Sequence, residues 1–294
     1  MNNTMSNFPM SRKTFGIRIY LMWQVLSAFI LFSSACAQSS ADHNQSQGKN
    51  LSTLPTVSAN QSDDESLIEE IRKSIASKNY RRLAELIKSK PDLNVRNKNN
   101  DSLLVEAMQT DIKSFEMLLE AGADPNFSSN TIGCAESERC LKPPTYIAFE
   151  GGNMAALKLL LQFRADPNAE SILAWAVSRG NREAVELLLF HKADVTFNNA
   201  VGENRQPSIF FAVEPKIAEL LIKNGADVNQ ADENGLTPLM VAVEEANLKM
   251  VRFLVKNGAS VNVQNKKGET ILQLAKKIGD KKIITELRKA GAND

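Results

Sequence analysis

Through the carboxy-terminal half of the chain, apolar residues fall into short helical runs, two to a period. The clearest period spans Asp232 to Asn262. Leu239, Val241, Ala242 and Val243 form a first run, Ala246-Asn247 interrupts it, and Met250, Val251, Leu254 and Val255 follow at the three-to-four spacing of one helix face. Ahead of the first run, Asp232-Glu233-Asn234-Gly235 is turn chemistry, with a glycine free to take positive φ. Thr237 can cap the first unpaired N–H groups, and Pro238 is tolerated at the first helical position. Gly258 stands where a helix ends in a left-handed residue. The pattern predicts a hairpin, a short helix, a turn and a second helix.

The same unit returns along the chain. Gly122-Ala123-Asp124-Pro125-Asn126 recurs as Gly225-Ala226-Asp227-Val228-Asn229, with weaker relatives ending at Asn168, Thr196, Asn262 and Asp294. Registered on the aspartate position, successive blocks are 42, 28, 33, 33 and 33 residues apart. A helix pair of this length cannot bury its apolar face alone, so the units must stack on one another. The expected fold is all-α, a solenoid of about five to six helix–turn–helix repeats with short hairpin loops, preceded by a divergent helix pair at 66–88.

Thr237-Pro238-Leu239-Met240-Val241-Ala242 resembles the ankyrin-repeat hallmark Thr-Pro-Leu-His-x-Ala in five of its six positions, with Met240 in place of the His. Thr270 to Ala275, Ser171 to Ala176, Pro207 to Ala212 and Pro143 to Ala148 keep the apolar skeleton and the Ala, whereas Asp101 to Glu106 lacks even that. Without the His, the family's usual loop-to-helix hydrogen bonds are not implied, but the packing pattern is. The resemblance covers residues 66–294 and is similar to that of exported bacterial ankyrin-repeat proteins, some of them lipoproteins.

Two irregularities interrupt the array. The unit ending at Asp166 carries extra residues, Asn130 to Cys140, in its hairpin, and the unit ending at Asp194 has lost residues in the same place. Further on, Glu214-Pro215 shortens the turn between two helices. Cys134 and Cys140 both lie in the long hairpin; in an oxidising compartment they are candidates for a disulfide, with free thiols or a metal site as alternatives. A metal would need further ligands, and the chain has only His43 and His191, so no metal and no cofactor is expected.

Residues 1–37 read as an export signal: Arg12, Lys13 and Arg18 precede Ile19 to Ala37, which carry no formal charge. Ala35-Cys36-Ala37 fits small-x-small cleavage, whereas Phe32-Ser33-Ser34-Ala35-Cys36 resembles a bacterial lipoprotein signal with Cys36 as the lipidated residue. An uncleaved anchor is the third possibility, since about twenty apolar residues span a bilayer. Residues 38–65 are rich in Gln, Ser, Asn and Asp and are expected to be a flexible tether of roughly 30 Å. The location these features imply is exported, either periplasmic or outer-membrane in a bacterium.

Losing Arg12, Lys13 and Arg18 takes the formal charge from +1 to −2. No basic patch suited to phosphate backbones stands out in the sequence, so a nucleic-acid partner is not expected. No phosphate loop, metalloprotease helix or nucleophile elbow occurs, and no catalytic residues are assigned. A binding role follows. In the family that this chain resembles, partners use the hairpin tips and the exposed side of the first helices, which line a concave face. By register that set comprises Met108, Gln109, Glu150, Ser178, Arg179, Glu214, Glu244, Glu245 and Lys277 on the helices, and Asn100, Lys142, Glu170, Glu233, Leu236 and Glu269 on the hairpins. Seven of these are Glu and three are basic, which suits another protein with a basic patch. Trp175 falls in the register on the buried side. The resemblance implies a non-catalytic envelope interaction module with three candidate roles: immunity against a toxin, support of peroxide defence, or action as a secreted host-directed effector.

Overall fold

In the computed structural model, residues 59–129, 141–196 and 206–293 are described. Cys36, Cys134 and Cys140, and with them the lipidation and disulfide expectations, lie outside these residues. Among the described residues the fold is all-helical, with thirteen α-helices and no strand. Two compact units are distinguished, one holding the described residues 59–196 and the other 206–293.

The first unit contains four helix pairs: α1 (Ala59–Ala76) with α2 (Tyr80–Ile87), α3 (Leu103–Thr110) with α4 (Ile112–Glu120), α5 (Pro144–Glu150) with α6 (Met154–Gln162), and α7 (Ile172–Ser178) with α8 (Arg182–Phe190). Each helix packs on its own partner and on the corresponding helix of the next pair. The small Ala107, Ala148 and Ala176 are buried in the first helices and let neighbours approach closely. Between the layers, Phe115, Leu118, Leu157, Leu160 and Leu188 are fully enclosed. Every second helix opens on an Asn or Asp: Asn79, Asp111, Asn153 and Asn181 each accept a hydrogen bond from a backbone N–H of the first turn. These caps satisfy donors that the helix cannot, and so fix where the turn between paired helices falls.

The second unit holds a 3-10 helix (Ser208–Phe211) followed by α9 (Pro215–Lys223), then α10 (Pro238–Glu244) with α11 (Leu248–Lys256), and α12 (Ile271–Ile278) with α13 (Lys281–Lys289). The 3-10 segment stands where a first α-helix was expected. Pro215 explains it: proline has no N–H and drives the preceding residue out of helical φ/ψ, so Glu214 is extended (φ −108°, ψ 133°) and the first helix has no room to complete an α turn. Glu214 is therefore the N-cap of α9, not a first-helix residue.

The recurring Asp-x-Asn block has a direct structural meaning. Within each block the Asp carboxylate accepts from the N–H two residues on, as Asp124 does from Asn126 (2.8 Å) and Asp227 from Asn229 (2.8 Å). The Asn then reaches to the next block. In the first unit Asn94, Asn126 and Asn168 accept from the N–H of Asp124, Asp166 and Asp194, each at 2.8 Å. In the second, Asn229 accepts from Ser260 (2.7 Å) and Asn262 from Asn293 (2.9 Å), and their amide nitrogens donate to the carbonyls of Gly258 and Gly291. At Thr196 the short hydroxyl instead turns back and donates to Asp194 (2.7 Å).

Four expectations are corrected, three of them by register. The cap of α3 is Ser102, whose hydroxyl accepts from Val105, while Asp101 belongs to the hairpin and donates its N–H to Asn97. The hallmark in that repeat is thus Ser102-Leu103-Leu104-Val105-Glu106-Ala107, and its Ala is present. The one-residue shift turns Met108 inward, to 5% exposure, in register with Phe149, Val177 and Val243, so Met108 is core and not surface. Trp175 is half-exposed instead of buried, because the fifth hallmark position, shared by Glu106, Ile147, Phe211 and Val241, faces outward. Finally, α1 begins at Ala59, inside the stretch expected to be tether. A polar composition argues against a core but not against a helix, and Gln, Ser, Asp and Glu are tolerated in one.

Candidate interaction surface

On the first unit, the outward side of α5 and α7 and the adjoining hairpins brings together most of the residues expected there. Arg179, at the end of α7, lies between the carboxylate of Glu150 (2.6 Å) and two rings, its guanidinium carbon 5.1 Å from the Phe149 centroid and 5.7 Å from that of Trp175. Lys142 holds the neighbouring hairpin, pairing with Ser129 backbone to backbone, and its ammonium reaches Glu170 at 2.8 Å and stands over the Tyr146 ring at 5.6 Å. Burial raises the Tyr146 hydroxyl's pKa, and the nearby Glu150 and Glu170 carboxylates push it further in the same direction. Tyr146 and Trp175 are the aromatic members that register reasoning did not assign to the surface; the signal for them is their place two and one residues, respectively, before the hallmark Ala. Ser178 turns its hydroxyl back onto the Trp175 carbonyl (3.0 Å). Gln109 is exposed on α3.

Below this patch, Glu106 is half-buried and bonds to Arg72 of α1 and to Asn97 (2.6 Å). Burial raises its pKa, against the pull of Arg72 and Asn97 in the other direction. The contact fastens the divergent helix pair to the first repeat.

On the second unit, the hairpin before α10 is organised by Asp232, which accepts from Asn234 (2.8 Å) and Leu236 (2.9 Å), and the next hairpin by Asn265, which accepts from Lys267 and Glu269. The two hairpins are joined where Lys266 donates its N–H to the Asn234 carbonyl (2.9 Å). Glu233 is exposed at this edge and Leu236 half-exposed. Lys277 of α12 pairs with Glu269. At the end of α10, the Glu244 carboxyl has a raised pKa: burial is the main cause, and the carboxylates of Glu269, Asp232 and Glu245 add to it while Lys267 opposes.

A regularity emerges. The three basic members of the expected set, Lys142, Arg179 and Lys277, pair with three of its glutamates, Glu170, Glu150 and Glu269. The remaining acidic members, Glu214, Glu233, Glu244 and Glu245, all belong to the second unit. Among the described residues no group of three His, Cys, Asp or Glu is arranged to hold a metal ion, and no helix is long and apolar enough to cross a membrane. The side chains that do converge are rings and paired charges on rigid helix ends. Such a surface can recognise a partner.

Stacked helix pairs with protruding hairpins and a first-helix face of this kind define a tandem-repeat binding scaffold. The family model described as "Ankyrin repeats (3 copies)" matches residues 132–199 and 209–294, more than half of the chain. The chain belongs to the ankyrin-repeat family. It is 29% identical over 162 residues to the putative ankyrin repeat protein FPV031 of fowlpox virus (strain NVSL), a match covering 51% of this chain and 46% of that one. It is also 35% identical over 98 residues to the dynein axonemal heavy chain 12 of Bos taurus, covering 33% and 28% respectively. The chain spans less than half the length of these curated relatives. Among solved structures, the ankyrin-repeat domain of Bcl-3, a member of the IkappaB protein family, superimposes with a TM-score of 0.61 at 24% identity, covering 74% of this chain and 97% of that domain. This last likeness concerns the fold alone. Ankyrin repeats are a protein–protein interaction scaffold, typically non-catalytic.

Proposed function

We propose that the protein is an interaction module of the bacterial cell envelope whose first-helix face and hairpins bind a partner protein with a basic patch, and that its role is to neutralise a toxin as an immunity protein. The observation that carries the partner's chemistry is Glu244. Its carboxyl is crowded by Glu269, Asp232 and Glu245, and its pKa is held up by burial and by that crowding. A cation brought by a partner would offset the crowding of like charges, so this edge of the second unit favours a basic contact through charge complementarity. The envelope setting rests on Arg12, Lys13, Arg18 and the uncharged Ile19 to Ala37, with Cys36 as the lipidated residue.

The test is affinity capture from envelope extract with the full chain and with its Glu244→Lys/Glu245→Lys form. A partner recovered by the first and lost from the second supports the reading. Equal recovery by both places the contact on another face. For the role itself, a deletion strain should become sensitive to attack by sibling cells; unchanged resistance would sink immunity. Palmitate labelling that disappears in Cys36→Ala is the expected outcome for the anchor.

A further inference from the structure

The total charge of the chain conceals a segregation that the fold makes visible. On the second helices of the 206–293 unit, α9, α11 and α13, there are nine Lys or Arg and only two acids, Glu219 and Glu286. The second helices of the first unit, α2, α4, α6 and α8, carry five basic residues against five acids. The expectation that the chain has no basic patch is corrected here: the patch is invisible in the sequence total because most other acids of the same unit lie on the hairpins and first helices, with Glu214 and Asp280 at the N-caps of α9 and α13.

The basic residues are also ordered. Lys216, Lys249 and Lys282 occupy the second position of α9, α11 and α13, and Lys223, Lys256 and Lys289 the ninth. All six are exposed. Because α11 packs beside both α9 and α13, the six ammonium groups form two rows across one face. Seven residues of helix set the rows about 10 Å apart, and neighbours within a row are separated by about 8–10 Å, the spacing of packed helices. The ninth-position row has an ordinary explanation, since cations at a helix carboxy terminus complement the backbone dipole. The second-position row does not. A cation in the first turn meets the positive end of that dipole, yet one stands there in every second helix of this unit.

We propose that this face docks on an anionic phospholipid surface. A bilayer is favoured over a protein partner because the face offers no strongly exposed aromatic side chain of the kind that anchors a protein interface, and its Arg252 is already held by Glu286. Among the described residues the strongly exposed large apolar side chains are Ile112, Phe190 and Ile278, none of them on α9, α11 or α13. A level field of long, flexible cations needs no pocket to engage headgroups, and each contributes additively within a Debye length. The choice of a membrane also draws on the export reading, since a chain with a membrane address at its amino terminus is held near such a surface. Docked this way, the unit turns its basic helices to the lipid and leaves its acidic hairpins for a partner.

The experiment is co-sedimentation of the full chain with vesicles of phosphatidylcholine alone and with phosphatidylglycerol added. The test form carries Lys249→Gln, Lys256→Gln, Lys282→Gln and Lys289→Gln. The control form carries four exposed substitutions on the first unit, Lys73→Gln, Lys88→Gln, Lys98→Gln and Lys158→Gln, and so has the same net charge. Any contribution of the amino-terminal segment is common to all three. The expected result is binding that rises with phosphatidylglycerol and falls with salt, is reduced about tenfold or more in the test form, and changes by less than about twofold in the control. The corresponding four Lys→Arg substitutions should preserve binding, which separates charge from misfolding. Equal affinity for both vesicle types, equal losses in test and control forms, or tighter binding of polyglutamate or duplex DNA than of the anionic vesicles would each overturn the proposal. Capture of a protein partner reads the opposite face, so either result can fail without the other.

Discussion

Thr145 shows how much one atom can matter in a repeat core. It is fully buried at the first-helix position that Leu fills in the best-formed repeat, and its hydroxyl oxygen finds no hydrogen-bond partner. An unsatisfied buried hydroxyl costs about 1–3 kcal/mol, so Thr145→Val, nearly the same shape, is expected to stabilise the first unit by about 1 kcal/mol. A urea midpoint that falls instead would show the hydroxyl to be satisfied. Asp111 is the converse case. Burial alone would raise its pKa, but bonds from the Ser114 N–H and hydroxyl and from the Lys113 N–H outweigh this and lower it. A carboxyl lowered in the folded state contributes stability above its unfolded pKa and loses it as pH falls through the folded value. Asp111→Ala should therefore cost about 1 kcal/mol at neutral pH, with the difference from wild type shrinking under acid titration followed by circular dichroism. Glu244 has the opposite sign. Its raised folded pKa means stability is lost as pH climbs from the unfolded value through the folded one, so Glu244→Gln should raise the neutral-pH denaturation midpoint and flatten that slope. At this scale the sequence misleads where two neighbours can both cap. Asp101 and Ser102 are each competent, and choosing the first turned Met108 outward.

Among the elements, the Asn ladder is what joins one repeat to the next at the hairpin side. Asn229 makes two such contacts, accepting from Ser260 and donating to the Gly258 carbonyl. Asn229→Ala should remove about 1–2 kcal/mol from the second unit, and hydrogen exchange at the Ser260 amide should quicken while the first unit is unaffected. Gly235 is a different constraint. Its φ is +74°, and a Cβ there would meet the Lys266 backbone nitrogen at 3.0 Å, so Gly235→Ala strains the turn and presses the two hairpins apart. The lowered midpoint expected for it would be absent if the hairpins were free to separate. The elements themselves were legible because the apolar spacing marks each helix face, and caps such as Thr237 and Asn247 mark where many of the helices start. The 3-10 segment at Ser208–Phe211 was not, since reading Glu214-Pro215 as a shortened turn misses that a proline also forbids the helix before it.

For the whole molecule, the period of 33 carried the architecture and the glycine-bounded blocks carried its joints. What the period could not carry was the sorting of charge. A sequence summed along its length averages over faces that a helix separates every few residues, so the pairing of Lys142, Arg179 and Lys277 with Glu170, Glu150 and Glu269 needs three dimensions. So does the contrast between acidic hairpins and basic second helices. One expected consequence is that raising the salt concentration should leave folding stability nearly unchanged, because exposed pairs contribute little, while it weakens association at either charged face. Denaturation and binding measured across the same salt series would separate the two.

The ladder also bears on how such a chain can change in length. Asn229 and Asn262 stand 33 residues apart and make equivalent contacts to the block that follows each. Recombination that joined Asn229 directly to Val263 would delete one whole period and bring Asn229 to the amide of the terminal block, where Asn262 had been. The ladder contact at the new junction would be of a kind that already exists. The 42- and 28-residue steps of the first unit offer no such exchange. At the ladder the carboxy-terminal repeats share one register, and the earlier ones do not.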